Sequence, residues 1–191
     1  MNQSEVQKEL ELFKKRVIQQ AKSNLTKMGK NSTGALHKGL KGDVTVFRTG
    51  NFALEFDLGK YGEFQDKGVK GKDPSKVSKN AKIKGQQAPD SDFMFGSGSY
   101  GGTWGSFVNS MEKWVKKKNF RLRDEKGRYT KGTTKTLAQI IARNIYYRGL
   151  KPSLFFTKPF ENEYKKLSDD LVEAFGLDID EFLKYTVNGT K

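Results

Sequence analysis

No cysteine occurs in these 191 residues. That removes disulfide frameworks, thiolate nucleophiles and the commoner structural zinc sites. Histidine occurs once, at His37. A Ser-His-Asp arrangement would rest on that single residue, in a turn-rich segment beside lysines, and no nucleophile-elbow pattern accompanies it. No apolar run approaches the roughly 20 residues that a bilayer span needs. The opening MNQSEVQKEL is polar and lacks a signal-peptide apolar core. These absences predict a soluble protein made in a cytoplasm, with no membrane partner. Apolar residues make up only 35% and mean hydropathy is −0.75, so part of the chain is expected to be loop or arm rather than core.

What is abundant is positive charge. The net charge is +14 and the isoelectric point about 9.8, a balance that favours a polyanionic neighbour, most often nucleic acid. The densest stretch carries Lys113, Lys116, Lys117, Lys118, Arg121, Arg123, Lys126, Arg128 and Lys131 against Asp124 and Glu125, with Phe120 and Tyr129 interleaved. Such a tract can follow a phosphate backbone and release counterions. It can equally be a solvated helix end, or pair with an acidic neighbouring subunit. The segment from Glu161 to Glu181 is acid-rich, and that asymmetry suits head-to-tail packing of identical chains.

Periodicity predicts an α+β fold in one domain, a small antiparallel sheet covered by a long first helix and by later helices. Val6, Leu10, Phe13, Val17, Ala21, Leu25 and Met28 share one face of a helix over 4–28, with Ser4 and Gln7 as a capping box. A short helix is expected around Ala35–Leu40. Val44 and Val46, then Phe52, Leu54, Phe56 and Leu58, alternate along a hairpin turned by TGN. Residues 68–105, rich in Gly, Ser and Lys, show no period and read as a long loop or extended assembly arm. Its aromatics Phe93, Phe95, Tyr100 and Trp104 suggest docking on a neighbour. Helices follow at SFVNSMEKWVKKK, at TTKTLAQIIARNIYYRG (Leu137, Ile140, Ile141 and Ile145 inward) and from Phe160 to Phe175. Gly176 is expected to stop the last of these, with a short helix near Ile179–Leu183 beyond it.

Catalytic signals are few. Glu55, Asp57 and Asp66 could in principle hold Mg²⁺ for a nuclease, against the simpler reading of a solvent-facing strand side. GSGSYGG lacks the strand-to-helix context and the Gly-Lys-Ser/Thr ending of a phosphate loop. No catalytic residue, cofactor or metal is assigned.

The order of the parts resembles the neck or tail-completion (head–tail connector) proteins of tailed bacteriophages. The matching residues are Tyr61, Phe64 and Gly68 in KYGEFQDKGVKG, then Gly149, Pro152, Phe155, Phe156, Pro159 and Phe160 in RGLKPSLFFTKPF. RDEKGRYTKG also looks like a turn frequent in phage structural proteins. The loop is longer than in such proteins, and the basic tract before the last helices is unusual for them. The resemblance implies a non-enzymatic virion protein, assembled in the host cytoplasm. It would form a ring of six or twelve copies between portal and tail, with portal, adaptor or tail proteins as partners and packaged DNA passing through. Tyr61, Phe64, Phe93, Phe95, Tyr100 and Trp104 would then supply subunit contact, or belong only to the chain's own core. The alternative function is DNA binding through residues 113–131.

Overall fold

The computed structural model describes residues 4–30, 34–47, 51–98, 102–124 and 126–188, without the side chains of 179–188. The class is α+β: helices and two small antiparallel two-stranded sheets. Where the sequence predicts one domain, contacts gather into two compact units. The first joins Met1–Gly59 to Leu154–Lys191, and the second is Lys60–Ser153.

The first unit is built on α1 (Glu5–Lys27). Ser4 caps it, its hydroxyl accepting from Gln7 N at 3.1 Å. The carboxylate of Asp178 adds a second cap, accepting from Glu5 N at 2.8 Å and Val6 N at 3.2 Å. An anion there satisfies otherwise orphaned donors and faces the positive end of the helix dipole. Gly29, at φ +63°, ends the helix in a left-handed turn. The expected stripe is buried at Leu10, Phe13, Val17, Ala21 and Leu25, while Met28 is exposed. After α2 (Ala35–Gly39), strands β1 (Lys41–Val46) and β2 (Phe52–Asp57) pair with Val44 opposite Leu54 and Val46 opposite Phe52. Residues Thr49 and Gly50 of the predicted turn lie outside the described residues.

The last helix, α6 (Thr157–Asn188), runs antiparallel to α1. Gln20 donates to Glu163 at 2.7 Å, and Asn24 donates to the Phe155 carbonyl at 3.3 Å. One core gathers Leu10, Phe13, Val17 and Leu167, with Phe56 and Phe160 packed on it; the other gathers Ala21, Leu25, Leu40 and Phe155. The expected break at Gly176 does not occur. An interior glycine costs a helix about 1 kcal/mol, and packing of the turns before it, through Leu167 and Ala174, outweighs that.

The second unit begins with α3 (Gly59–Lys67, whose first residue belongs to the first unit) and β3 (Val69–Lys70), then a 3₁₀ turn at Pro74–Lys76. Helices α4 (Trp104–Lys117) and α5 (Thr134–Arg148) pack together and lead to β4 (Gly149–Leu150), which pairs with β3. Thr103 and Ser106 form a capping box at the start of α4. Val108 and Val115 meet Ala138 and Ala142 at the helix pair. Ile140, expected inward, is exposed. The small alanines let the two helices approach closely, which turns α5 so that Leu137, Ala138, Ile141 and Ala142 face α4.

Residues 77–98 contain no helix and no strand beyond a bridge at Met94, so the loop is as irregular as its composition implies. Its expected departure from the body as an arm is corrected by its hydrogen bonds. Lys70 N donates to the Phe93 carbonyl at 2.7 Å and Phe95 N to that of Lys70 at 2.9 Å. Gln87 N donates to the Arg148 carbonyl at 2.9 Å. The Gln86 amide clamps Gly71 on both sides, accepting from its N–H at 2.6 Å and donating to its carbonyl at 3.1 Å. Backbone groups that would otherwise be buried unpaired hold the loop on its own unit. Gly149, at φ +93°, lies against the Val69 carbonyl, where a Cβ has no room.

Candidate functional site

Among the described residues, no group of three or more His, Cys, Asp and Glu side chains is placed to hold a metal ion. Glu55 and Asp57 are exposed on β2 in the first unit, and Asp57 accepts from Gly59 N at 2.7 Å. Asp66 is buried in the second unit. Of the three carboxylates considered for Mg²⁺, Glu55 and Asp57 are exposed on one strand, while Asp66 is buried on α3. His37 sits half-buried on α2.

Two surfaces remain. The first is an open apolar groove of about 560 Å³ in the first unit. Phe52, Leu54 and Phe56 of β2 form one wall, Val6, Leu10 and Phe13 of α1 the floor, and Tyr164, Leu171 and Phe175 of α6 the other wall. Alternation along β2 puts its three large side chains on one face, and α6 supplies its wall at three- and four-residue steps. Tyr164 is 59% exposed and Phe175 60%. Large rings this open, beside a two-stranded sheet with unpaired edges, leave the first unit with apolar surface of the kind that marks an interaction site.

The six aromatics expected at an interface lie in the second unit and have different fates. Phe64 and Phe93 pack edge to face at 4.8 Å, with Phe93 buried, so their area is used within the unit. Phe95 is half-buried against Phe107 and Tyr146, at 5.9 and 5.8 Å. Tyr61 and Trp104 are exposed, and Trp104 touches Phe107 and Tyr146 edge-on. Tyr100 lies outside the described residues. Tyr146 and Tyr147, at the end of α5, were missed from the sequence. Lys72 stands over the ring of Tyr146, while Lys76 and Arg143 stand over that of Tyr147. Their anchoring role shows only once the loop is folded back.

The second surface is basic. Residues 60–153 hold 21 of the 36 Lys and Arg but only eight of the 22 Asp and Glu, so this unit carries a net +13 of the chain's +14. Lys113, Lys116 and Lys117 lie on the last turns of α4, and Lys118 is its C-cap, where cations meet the negative end of the dipole. Lys116 is paired with Glu112 at 2.8 Å. Neighbouring Lys116 and the hydroxyl of Thr134 help hold the Glu112 carboxyl below its ordinary pKa, the hydrogen bond to Lys116 contributing most.

Arg121, Arg123, Lys126 and Arg128 lie beyond α4 on a short two-stranded ribbon. Asp124 N donates to the Arg128 carbonyl at 2.8 Å and Thr130 N to that of Leu122 at 3.1 Å, with Arg123 opposite Tyr129. The turn at its tip is closed by Gly127 N on the Asp124 carbonyl at 3.0 Å. The Arg123 guanidinium lies 4.4 Å from the centre of the Tyr129 ring and donates to the Tyr129 hydroxyl at 2.8 Å, and Arg121 lies 5.7 Å from the same ring.

Comparison with protein-family models, with curated proteins and with solved structures finds no match for this chain.

Proposed function

We propose that this chain is a structural protein of a tailed-phage neck or tail-completion complex, and that copies join in a ring between portal and tail through which the genome passes. The observation that carries the reading is the open apolar groove between β2, α1 and α6. An apolar surface of this kind on a protein of low overall hydropathy is explained by a neighbouring subunit that covers it. The Tyr61–Phe64–Gly68 and Pro152–Phe160 steps that resemble neck proteins point the reading toward a neck or tail-completion complex. Exposed Tyr61 and Trp104 are candidates for further subunit contact, whereas Phe64 and Phe93 serve their own unit.

Sedimentation of the purified protein across concentration tests the reading, together with electron microscopy of any assembly. Self-association is expected, and Tyr164→Asp with Phe175→Asp should weaken it by about tenfold or more, since charge placed in an apolar contact leaves it unpaired and desolvated. A chain that stays monomeric at every concentration, and is absent from particles made in a host carrying its gene, overturns the reading.

A further inference from the structure

The ribbon at residues 121–131 segregates its side chains by face. Register sets Arg123 against Tyr129, and exposed Lys131 follows two residues beyond Tyr129 in the chain. The guanidiniums of Arg121 and Arg123 both lie against the Tyr129 ring, and among the described residues neither is paired with a carboxylate. The other face carries Leu122 and the Asp124–Arg128 pair, whose carboxylate and guanidinium meet at 3.0 Å. Among the described residues, Arg128 is the one cation of the ribbon paired with a carboxylate, and alternation turns it away from the Arg121–Arg123–Tyr129 face.

Like charges held close together on a ribbon destabilise it. Arg121 and Arg123 crowd onto the same Tyr129 ring, and Lys131 follows two residues beyond it. The ribbon nevertheless holds the guanidinium of Arg123 fixed, through the Tyr129 hydroxyl and through the Gly127 carbonyl at 3.1 Å. Three cations gathered against their own repulsion, one of them locked in place, form a surface that gains free energy when anions arrive in a row. A two-stranded ribbon also has the width that the major groove of a duplex admits.

We infer that this face of the ribbon binds the phosphate backbone of duplex DNA, without regard to sequence. Duplex fits better than single strands because the ribbon has a width that the major groove admits, and the Arg123 guanidinium, 4.4 Å from the ring centre, already occupies one side of Tyr129. DNA fits better than the acidic helix of a second copy because three carboxylates of that helix are already engaged, Glu163 and Asp170 beside Arg16 and Asp178 on the first turn of α1, as are others of the first unit. Glu5 binds Lys8, Glu11 binds Lys14, and Glu9, Glu163 and Asp170 surround Arg16. The field of the whole second unit, at net +13, steers the duplex in, and the ribbon makes the close contacts. The inference does not depend on ring formation, because a monomer that binds DNA supports it equally.

The test is fluorescence anisotropy of a labelled duplex of mixed sequence with the full chain, titrated at several salt concentrations. Affinity should fall steeply between about 50 and about 200 mM salt. Arg121→Gln, Arg123→Gln and Lys131→Gln together should weaken binding at least tenfold and flatten the log–log salt slope by about 2.7, three phosphate contacts at about 0.9 each. Lys79→Gln, Lys82→Gln and Lys84→Gln remove the same charge from the exposed loop of the same unit and should cost less than half of that free energy. Tyr129→Leu keeps every charge but frees Arg123, and should weaken binding severalfold. Thermal melting checks that each variant stays folded, and the loop triple shows what bulk charge alone contributes. Equal losses from the two triples, equal competition by single-stranded DNA or by polyglutamate, or no duplex binding at low salt each overturn the inference.

Discussion

Phe155 and Val17 are fully buried in the first unit, and their identities decide how well its two cores close. Phe155→Ala should cost about 3–5 kcal/mol, the usual loss for a buried aromatic that leaves a cavity. Urea unfolding measures it. Glu9 tests the electrostatics of the α1–α6 contact. Burial raises its carboxyl above the ordinary 4.5, and nearby Asp170 adds to the rise while Arg16 opposes it. A carboxyl with a raised folded pKa binds its proton more tightly folded than unfolded. The resulting penalty is absent well below 4.5, builds as pH rises through that value, and is complete above the folded pKa. Glu9→Gln should therefore raise the unfolding midpoint at pH 7, and the gain should shrink as pH falls toward 4.5 and vanish at about pH 3. A gain independent of pH would show that the side chain acts through packing rather than charge.

At the scale of elements, the segments easiest to read were those whose pattern is local. The stripe of α1 from Leu10 to Leu25, the alternation of Phe52, Leu54 and Phe56, and the turn in RDEKGRYT each carry their own structure, and each forms as expected. Misreadings arose where a neighbour overrode the local signal. Gly176 did not stop α6, and Ala138 with Ala142 drew α5 toward α4 in place of Ile140. KYGEFQDK, to which the sequence patterns assign no element, is helical. The loop after it is held by single side chains and backbone pairs scattered over 20 residues, which no period announces. Gly149→Ala should test that clamp. The residue sits at φ +93° against the Val69 carbonyl, so a Cβ both strains the backbone and pushes β3 from β4. A loss of a few kcal/mol is expected, with hydrogen exchange quickening at Gly71 and Gln87 before it does in α1. Unchanged protection there would mean that the clamp adds nothing to the loop's order.

The whole molecule divides its labour by charge. A nearly neutral unit carries the apolar groove and a strongly basic unit carries the ribbon, and neither property is visible in composition averaged over the chain. Because the basic unit is one continuous segment with its own α4–α5 core, it should unfold separately from the other. Calorimetry should show two transitions, of which the basic unit's alone should rise in the presence of duplex DNA. A single transition with equal calorimetric and van't Hoff enthalpies would mean that the two cores melt as one.

The sequence by itself determined the class of the fold, the buried stripe of α1, the register-forming face of the hairpin and the excess of positive charge, because each depends on residues near one another along the chain. The tertiary structure alone decided that the glycine-rich loop returns to its own unit, that Phe93 is spent inside while Trp104 stays open, and that Arg121 and Arg123 meet at the Tyr129 ring. Those outcomes depend on which distant backbone group or side chain satisfies a given donor, ring or charge, and chain order does not fix that partner.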